Sequence, residues 1–413
     1  MSKDALPTVK VNSRGRARVA SGHPWVYRQD VIAGPDKDAR NDGPTMVQVT
    51  DERNRPLAIA TWSLESPIAL RVLDRLDLPL SAKLGEGQGE GPKLPDFLKI
   101  VEERLARAVA RRTSLSLDRD AFRAVHGESD ALPGLFIDVY AHAAVMQTTS
   151  VAMNAHRTGI AALAQQILGV RLVIARDDGS ARDFEGLPRN RGILCGDGTS
   201  EITYRIGPNH LTADLMTDSK TGGFLDQADN HALVAALAPA GARCLDAFTY
   251  HGGFALALAR KGGPVLATDE DAQAVARTTA NAARNGLSNM TTRQANAFDL
   301  LRSLEGEREH FDVVVLDPPA LAKRKSGDST AERAYKEIIL RGMRLTVPDG
   351  LLVACSCSGR VSREQFDGII TEASADSGRS VQVLARMGAG RDHPERVGVP
   401  ETGHLKCWVM RVI

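Results

Sequence analysis

The chain has 413 residues, with 52 Lys and Arg against 51 Asp and Glu. That length exceeds one ordinary core, so two or three domains are predicted. No stretch is apolar enough to span a bilayer, and the N-terminus lacks the apolar segment of a secretory signal. The five cysteines are scattered and odd in number, which predicts a cytoplasmic protein without a disulfide framework.

Residues 1 to 30 carry Lys3, Lys10, Arg14, Arg16, Arg18 and Arg28 against Asp4 and Asp30. Clustered basic charge attracts phosphate. A solvated basic arm is the equally economical reading. Thr8 to about Arg75 then reads as short strands, with Met46–Thr50 and Ile68–Val72 β-rich and turn signals at Asp42-Gly43 and Asp51–Pro56. The glycine-rich run Gly85–Pro92 predicts a flexible loop near a domain boundary.

A helix is predicted from Phe97 to Arg112, because Leu98, Val101, Leu105 and Val109 recur at helical spacing. Leu135–Tyr140 and Ala143–Gln147 form a hairpin pattern around Ala141-His142. A helix near Asn154–Leu168 and a strand Arg171–Ala175 follow. From about Thr199 onward, strand candidates Ala242–Leu245, Pro264–Ala267, Asp312–Leu316 and Gly350–Ala354 alternate with helical stretches. That rhythm predicts an α/β domain with a mainly parallel sheet covered on both faces.

Three runs in this last section carry chemistry. The strand Arg243–Phe248 ends in a turn of small residues through Tyr250 and His251. There Gly252 and Gly253 would let a nucleoside-type ligand approach the backbone, before Phe254 begins a helix. Asp269, at the end of the next strand and after Asp246 by the usual interval, is placed to hold ribose hydroxyls. The dinucleotide fingerprint G-x-G-x-x-G is absent. Packing alone could also explain the glycines.

Asp312–Leu316 delivers Asp317 to the carboxyl end of the sheet, stiffened by Pro318 and Pro319, where it can meet the edge of a flat base. Ala354–Gly359 ends another strand. Free cysteines usually pack in cores, the reading adopted for Cys195, Cys244, Cys355 and Cys407. Cys357 lies further out, where the chain leaves the sheet, and suits a reactive thiolate. Cys355 and Cys357 have no second pair at zinc-finger spacing, so no metal is expected.

These runs, with His23–Tyr27, Val125–Leu135 and Lys220–Gln227, make the whole chain resemble the bacterial large-subunit ribosomal RNA 5-methylcytosine methyltransferases. The resemblance implies a PUA-like RNA-binding domain at 1–76 and a small central α+β domain at 77–195. A Rossmann-like class I methyltransferase domain at 196–413 would bind S-adenosyl-L-methionine. It places Phe224, Asp226, Gln227, Asp246, Phe248, Tyr250, Gly252, Gly253, Phe254, Asp269, Asn296, Ala297, Asp317 and Pro318 around the cofactor. It sets Cys357 and Asp317 against the target cytosine. Arg14, Arg16, Arg18, His23, Trp25, Lys323, Arg324 and Lys325 become RNA-binding candidates, with ribosomal RNA the partner and a homodimer left open.

Three positions depart from the family. Ala295-Asn-Ala-Phe298 replaces an acid for the adenine amino group, leaving Asn296 as an acceptor. His251 stands where Thr is common. Ala320 follows Pro319 where many relatives carry a second cysteine. Two other functions fit parts of the pattern. A purine N-methyltransferase needs no thiol and usually wants an aromatic after the Asp-Pro-Pro run, where Ala320 and Leu321 stand. A non-catalytic RNA-binding assembly factor would move no methyl group at all.

Overall fold

The computed structural model of the protein describes residues 6–35, 45–76, 96–321 and 328–413. The predicted glycine-rich loop, the Asp42-Gly43 turn and Lys323, Arg324 and Lys325 lie outside the described residues.

The first unit is a six-stranded sheet of β1 (Thr8–Val11), β2 (Trp25–Tyr27), β3 (Val31–Ala33), β4 (Met46–Thr50), β5 (Pro56–Trp62) and β6 (Ile68–Arg75), in the order β2-β6-β5-β4-β1-β3. Short β-branched strands bury one face, and Val9, Val11, Val26, Val47, Val49 and Leu70 form its core. Part of the basic arm is helical. Residues Ser13–Ala20 form helix α1, started by the Asn12 side chain accepting from the Gly15 amide.

The central unit opens with α2 (Phe97–Ser114), slightly longer than the apolar pattern required and capped by Asp96. Strands β7 (Ala121–His126), β8 (Leu135–Tyr140), β9 (Ala143–Thr148), β10 (Leu172–Asp177) and β11 (Asn190–Gly196) form a five-stranded sheet. The β8–β9 hairpin is antiparallel, as predicted, with Ala141 at a φ of 50° in its turn. The helix expected near Asn154–Leu168 is two helices, α3 (Val151–Ala155) and α4 (Arg157–Leu168). Ser150 caps the first, and the chain breaks at His156.

A separate hairpin, β12 (Glu201–Ile206) and β13 (Asn209–Asp214), bridges the two larger units. Its Ile202, Tyr204 and Leu211 pack with Tyr140, Val145 and Ile174 of the central sheet, and also with Leu256 and Ala282 further along the chain.

The third unit contains α5 (Ala228–Leu237), β14 (Cys244–Asp246), α6 (Gly253–Ala259), β15 (Val265–Asp269), α7 (Ala272–Arg284), β16 (Met290–Gln294), α8 (Ala297–Gly306), β17 (Phe311–Leu316), α9 (Asp328–Leu345), β18 (Thr346–Ser356), α10 (Arg363–Ser377), β19 (Val381–Met387) and β20 (Lys406–Val412). Its seven strands run in the order β16-β15-β14-β17-β18-β20-β19, parallel except at β20. Successive residues of β17 enter different cores: Val313 and Val315 one, Val314 and Leu316 the other. Burial on both faces is why that strand is continuously apolar. Strand order reverses between β14 and β17. In such sheets ligands bind at this crevice, outside the carboxyl ends of the strands.

The units are joined by buried polar contacts. Arg71 donates to Glu185 at 2.7 Å, and the Ser63 hydroxyl donates to the same carboxylate. Arg112 makes a two-pronged contact with Asp130 and also donates to the Asp392 carbonyl. Arg119 bridges Asp229 and Asp392.

Candidate active site

A cavity of about 1100 Å³ lies at the reversal point. Its wall takes residues from the carboxyl ends of β14, β15, β17 and β18 and from the segment that precedes α5.

The β14–α6 turn forms one side. Phe248, Tyr250, Gly253 and Phe254 line the cavity, as the sequence predicted. Asp246 and Gly252 lie behind that lining. Asp246 is 1% exposed, and its Oδ2 accepts from the Ala255 amide, so it anchors the start of α6 from behind the wall. Burial pushes its carboxyl up to about 7, with Asp269 adding to the effect. Gly252 has a φ of +90°, which side chains rarely tolerate, and it shapes the turn without touching the cavity. Gly253 also has a packing reason. A Cβ there would stand 2.6 Å from Nε2 of His231, whose ring packs against Phe254.

Asp269 lines the cavity from the end of β15. Its Oδ2 accepts from the Tyr250 amide and its Oδ1 from the Asp271 amide, so the carboxylate is fixed before any ligand arrives. Asn296 and Ala297 also line the cavity. The Asn296 side-chain oxygen, expected to serve the adenine, instead accepts from the Phe298 and Asp299 amides at 3.0 and 3.4 Å and caps α8. Both lone pairs of that oxygen are thereby engaged. His251, stacked on Tyr250 at 3.7 Å, is pushed down to about 3 by burial and is neutral.

The opposite side is the Lys220–Gln227 segment. Thr221 donates to Asp138 at 2.7 Å, and the Gly223 amide donates to the Tyr140 hydroxyl at 2.9 Å. The central sheet therefore holds this segment in place, a support that no local sequence signal announced. Phe224, Asp226 and Gln227 reach the cavity, and the Phe224 ring meets that of Tyr250 edge-on at 4.8 Å. Burial alone would raise the Asp226 carboxyl. Lys220, at 2.9 Å, holds it well below the usual range instead, with His404 contributing.

Asp317 and Pro318 come from the end of β17, and Cys357 follows the last residue of β18. All three line the same cavity. Burial, then the Asp226 carboxylate, pushes Asp317 up to about 7, with Lys220 opposing. Burial also pushes the Cys357 thiol up, with Lys220 opposing and Asp317 and Asp226 adding. Cys355 is 2% exposed, lies outside the cavity and packs in the core beside Cys407. Cys244 and Cys407 are buried as expected; Cys195 is only half-buried.

Among the described residues, the RNA candidates Arg14, Arg16, Arg18, His23 and Trp25 sit apart from this cavity. Arg14 and Arg18 both pair with the buried Asp30, and Arg16 is exposed. His23 accepts from the Trp25 amide. The Trp25 indole N–H donates to Glu128 at 2.9 Å, so Trp25 also joins the first unit to the second.

The chain matches two families: a PUA-like domain over residues 9–75, and an S-adenosylmethionine-dependent methyltransferase over residues 196–411. The chain belongs to the S-adenosylmethionine-dependent methyltransferases. Among relatives of this methyltransferase, a protein of Tolumonas auensis named ribosomal RNA large subunit methyltransferase I is 33% identical over 401 residues, covering 95% of this chain and 96% of its own. A Deinococcus radiodurans protein named ribosomal RNA large subunit methyltransferase is 32% identical over 414 residues, covering 97% and 96%. A solved methyltransferase named SMU.776, complexed with SAH, shares the fold with a TM-score of 0.80 at 17% identity, covering 98% of this chain and 99% of its own.

The cavity of this methyltransferase fits its cofactor, S-adenosylmethionine. Asp226 Oδ1 is a buried atom of a cavity-wall residue without a hydrogen-bond partner. An ionised carboxylate suits an ammonium group such as the one the amino-acid end of the cofactor carries. Asp269 offers a carboxylate where hydroxyls could donate.

Proposed function

We propose that this methyltransferase modifies carbon 5 of a cytosine in large-subunit ribosomal RNA, with Cys357 as the nucleophile. One observation carries the reading. Cys357 and Asp317 reach one cavity from the ends of adjacent strands, alongside the residues that fit the cofactor. The names of the relatives support the RNA class. The PUA-like unit and its basic helix support an RNA-positioning role.

Carbon 5 of cytosine is a poor nucleophile. Attack of the Cys357 thiolate on carbon 6 forms a carbon–sulfur bond and pushes the electron pair toward carbon 5. Asp317, with its affinity for protons raised to near neutrality, donates a hydrogen bond to the base edge and stabilises the charge that develops there. S-adenosylmethionine, when bound, supplies an electrophilic methyl group for carbon 5. Loss of the carbon 5 proton then returns the electron pair, breaks the carbon–sulfur bond and frees the Cys357 thiolate. Ala320 stands after the Asp-Pro-Pro run, so no cysteine is available there, and another base must take that proton.

Large-subunit RNA carrying 5-fluorocytosine at the target tests the reading, because fluorine cannot leave as a proton does. A covalent adduct should accumulate on Cys357. Cys357→Ala should lose both adduct and methyl transfer, while Cys355→Ala should keep most of each. An active Cys357→Ala enzyme would sink the covalent mechanism and favour methylation of a purine nitrogen.

A further inference from the structure

Behind Cys357 sits a buried cation that the mechanism above does not use. Lys406, the first residue of β20, is 2% exposed. Its Nζ donates to the carbonyls of Ser358 at 2.6 Å, Val361 at 2.7 Å and His404 at 3.0 Å. An ammonium has three donors, so the three carbonyls satisfy it only while it is protonated. Yet a buried ammonium normally takes a carboxylate partner. Among the described residues, no carboxylate lies within ion-pair distance of Lys406.

Two of its three acceptors, Ser358 and Val361, belong to the turn that immediately follows Cys357. The turn also closes on itself, through the Val361 amide and the Ser358 carbonyl. Lys406 therefore ties the segment carrying the thiol to the neighbouring antiparallel strand, where it pairs in register with Ser356.

We propose that Lys406 is a positioning residue for Cys357, clamping the Ser358–Val361 turn and placing a buried positive charge behind the thiol, so that the thiolate forms more readily. The inference rests on Cys357 being the nucleophile. The electrostatics agree in direction. Burial pushes Lys406 down to about 8, Cys357 pulls it back up, and Arg363 opposes. Besides Lys406, the groups facing Cys357 are Lys220, Asp226, Asp317 and the Tyr335 phenol of α9. The two carboxylates oppose ionisation of the thiol, and the Lys406 cation, held on the turn that follows it, offsets them.

The readout is the alkylation rate of Cys357 by iodoacetamide against pH, followed on its own peptide by mass spectrometry. Lys406→Met removes the charge at similar length. The midpoint of the rate profile should rise by about one pH unit, roughly a tenfold slower reaction near neutrality. S-adenosylmethionine affinity should stay within about twofold, since Lys406 lies outside the cavity wall. An unchanged midpoint overturns the proposal, even if methyl transfer falls, because a purely structural role would leave the thiol's titration alone.

If Lys406→Met does not fold, the converse experiment decides. The Lys406 side chain is titrated by carbon-13 NMR in the wild type and in Cys357→Ser. Its midpoint should fall in the variant, and equal midpoints overturn the coupling. Absence of a 5-fluorocytosine adduct in the wild type would remove Cys357 as nucleophile, yet leave both titrations readable.

Discussion

Asp246 gives the sharpest stability test, because its carboxyl is buried, charged only at a cost, and outside the cavity lining. It is 1% exposed, and burial, with Asp269 adding and hydrogen bonds from Thr249, Ala255 and Phe248 opposing, pushes it from 3.8 up to about 7. A raised folded-state value means that the folded protein binds the proton more tightly than the unfolded chain. The resulting stability is fully present below about pH 4 and is lost as pH rises through about 7. Roughly three pH units correspond to about 4 kcal/mol across that window. The substitution Asp246→Asn keeps an acceptor for the Ala255 amide but puts a group there that cannot ionise. The variant should therefore match the wild type near pH 4 and be more stable by up to about 4 kcal/mol near pH 8. Hydrogen exchange of the β17 amides across that range reads the effect in the sheet concerned. Parallel pH dependences in the two proteins would refute the reasoning, since Asp246 would then ionise equally easily in both states.

Two further predictions concern other buried charges. Asp317 acts protonated in the proposed mechanism, so kcat/KM should fall as pH rises through about 7. Asp317→Asn should flatten that alkaline limb while lowering the rate about a hundredfold or more, and a limb that persists in the variant would assign it to another group. Glu185→Ala leaves Arg71 buried without its counter-charge, and should cost about 3–5 kcal/mol in thermal unfolding. A loss below about 1 kcal/mol would mean that water reaches the guanidinium.

The legible parts of the molecule were those where local pattern and burial coincide. β17 is buried on both faces, so its run of valines announced both the strand and the position of Asp317 at its end. The helix α2 was legible because Val101 and Leu105 repeat on one buried face. β16 was missed because it is an edge strand: Met-Thr-Thr-Arg-Gln leaves Thr291, Arg293 and Gln294 exposed and offers no apolar alternation. β20 was missed although it is almost wholly buried, because its antiparallel place beside β18 depends on contacts distant in sequence. Asn296 shows a different limit. Its type suits either a ligand acceptor or a helix cap, and only the start of α8 decides for the cap.

The same distinction explains how the candidate active site is built. The turn from β14, Asp269, Asp317 and Cys357 are placed by strand ends, and strand ends can be read from sequence. Lys220–Gln227 has no such scaffold of its own. Lys220 has a φ of 52° and Gly222 a φ of 131°, conformations that a free segment would abandon. They persist because Asp138 and Tyr140, on β8, hold Thr221 and Gly223 by side-chain hydrogen bonds. Asp138 is itself fixed by a two-pronged contact with Arg123. Through this chain of contacts the central sheet sets the position of Asp226, and Asp226 in turn raises the proton affinity of both Asp317 and Cys357. The central unit thus contributes no wall-defining strand end of the third sheet, yet it governs the electrostatics at the two groups proposed to meet the base.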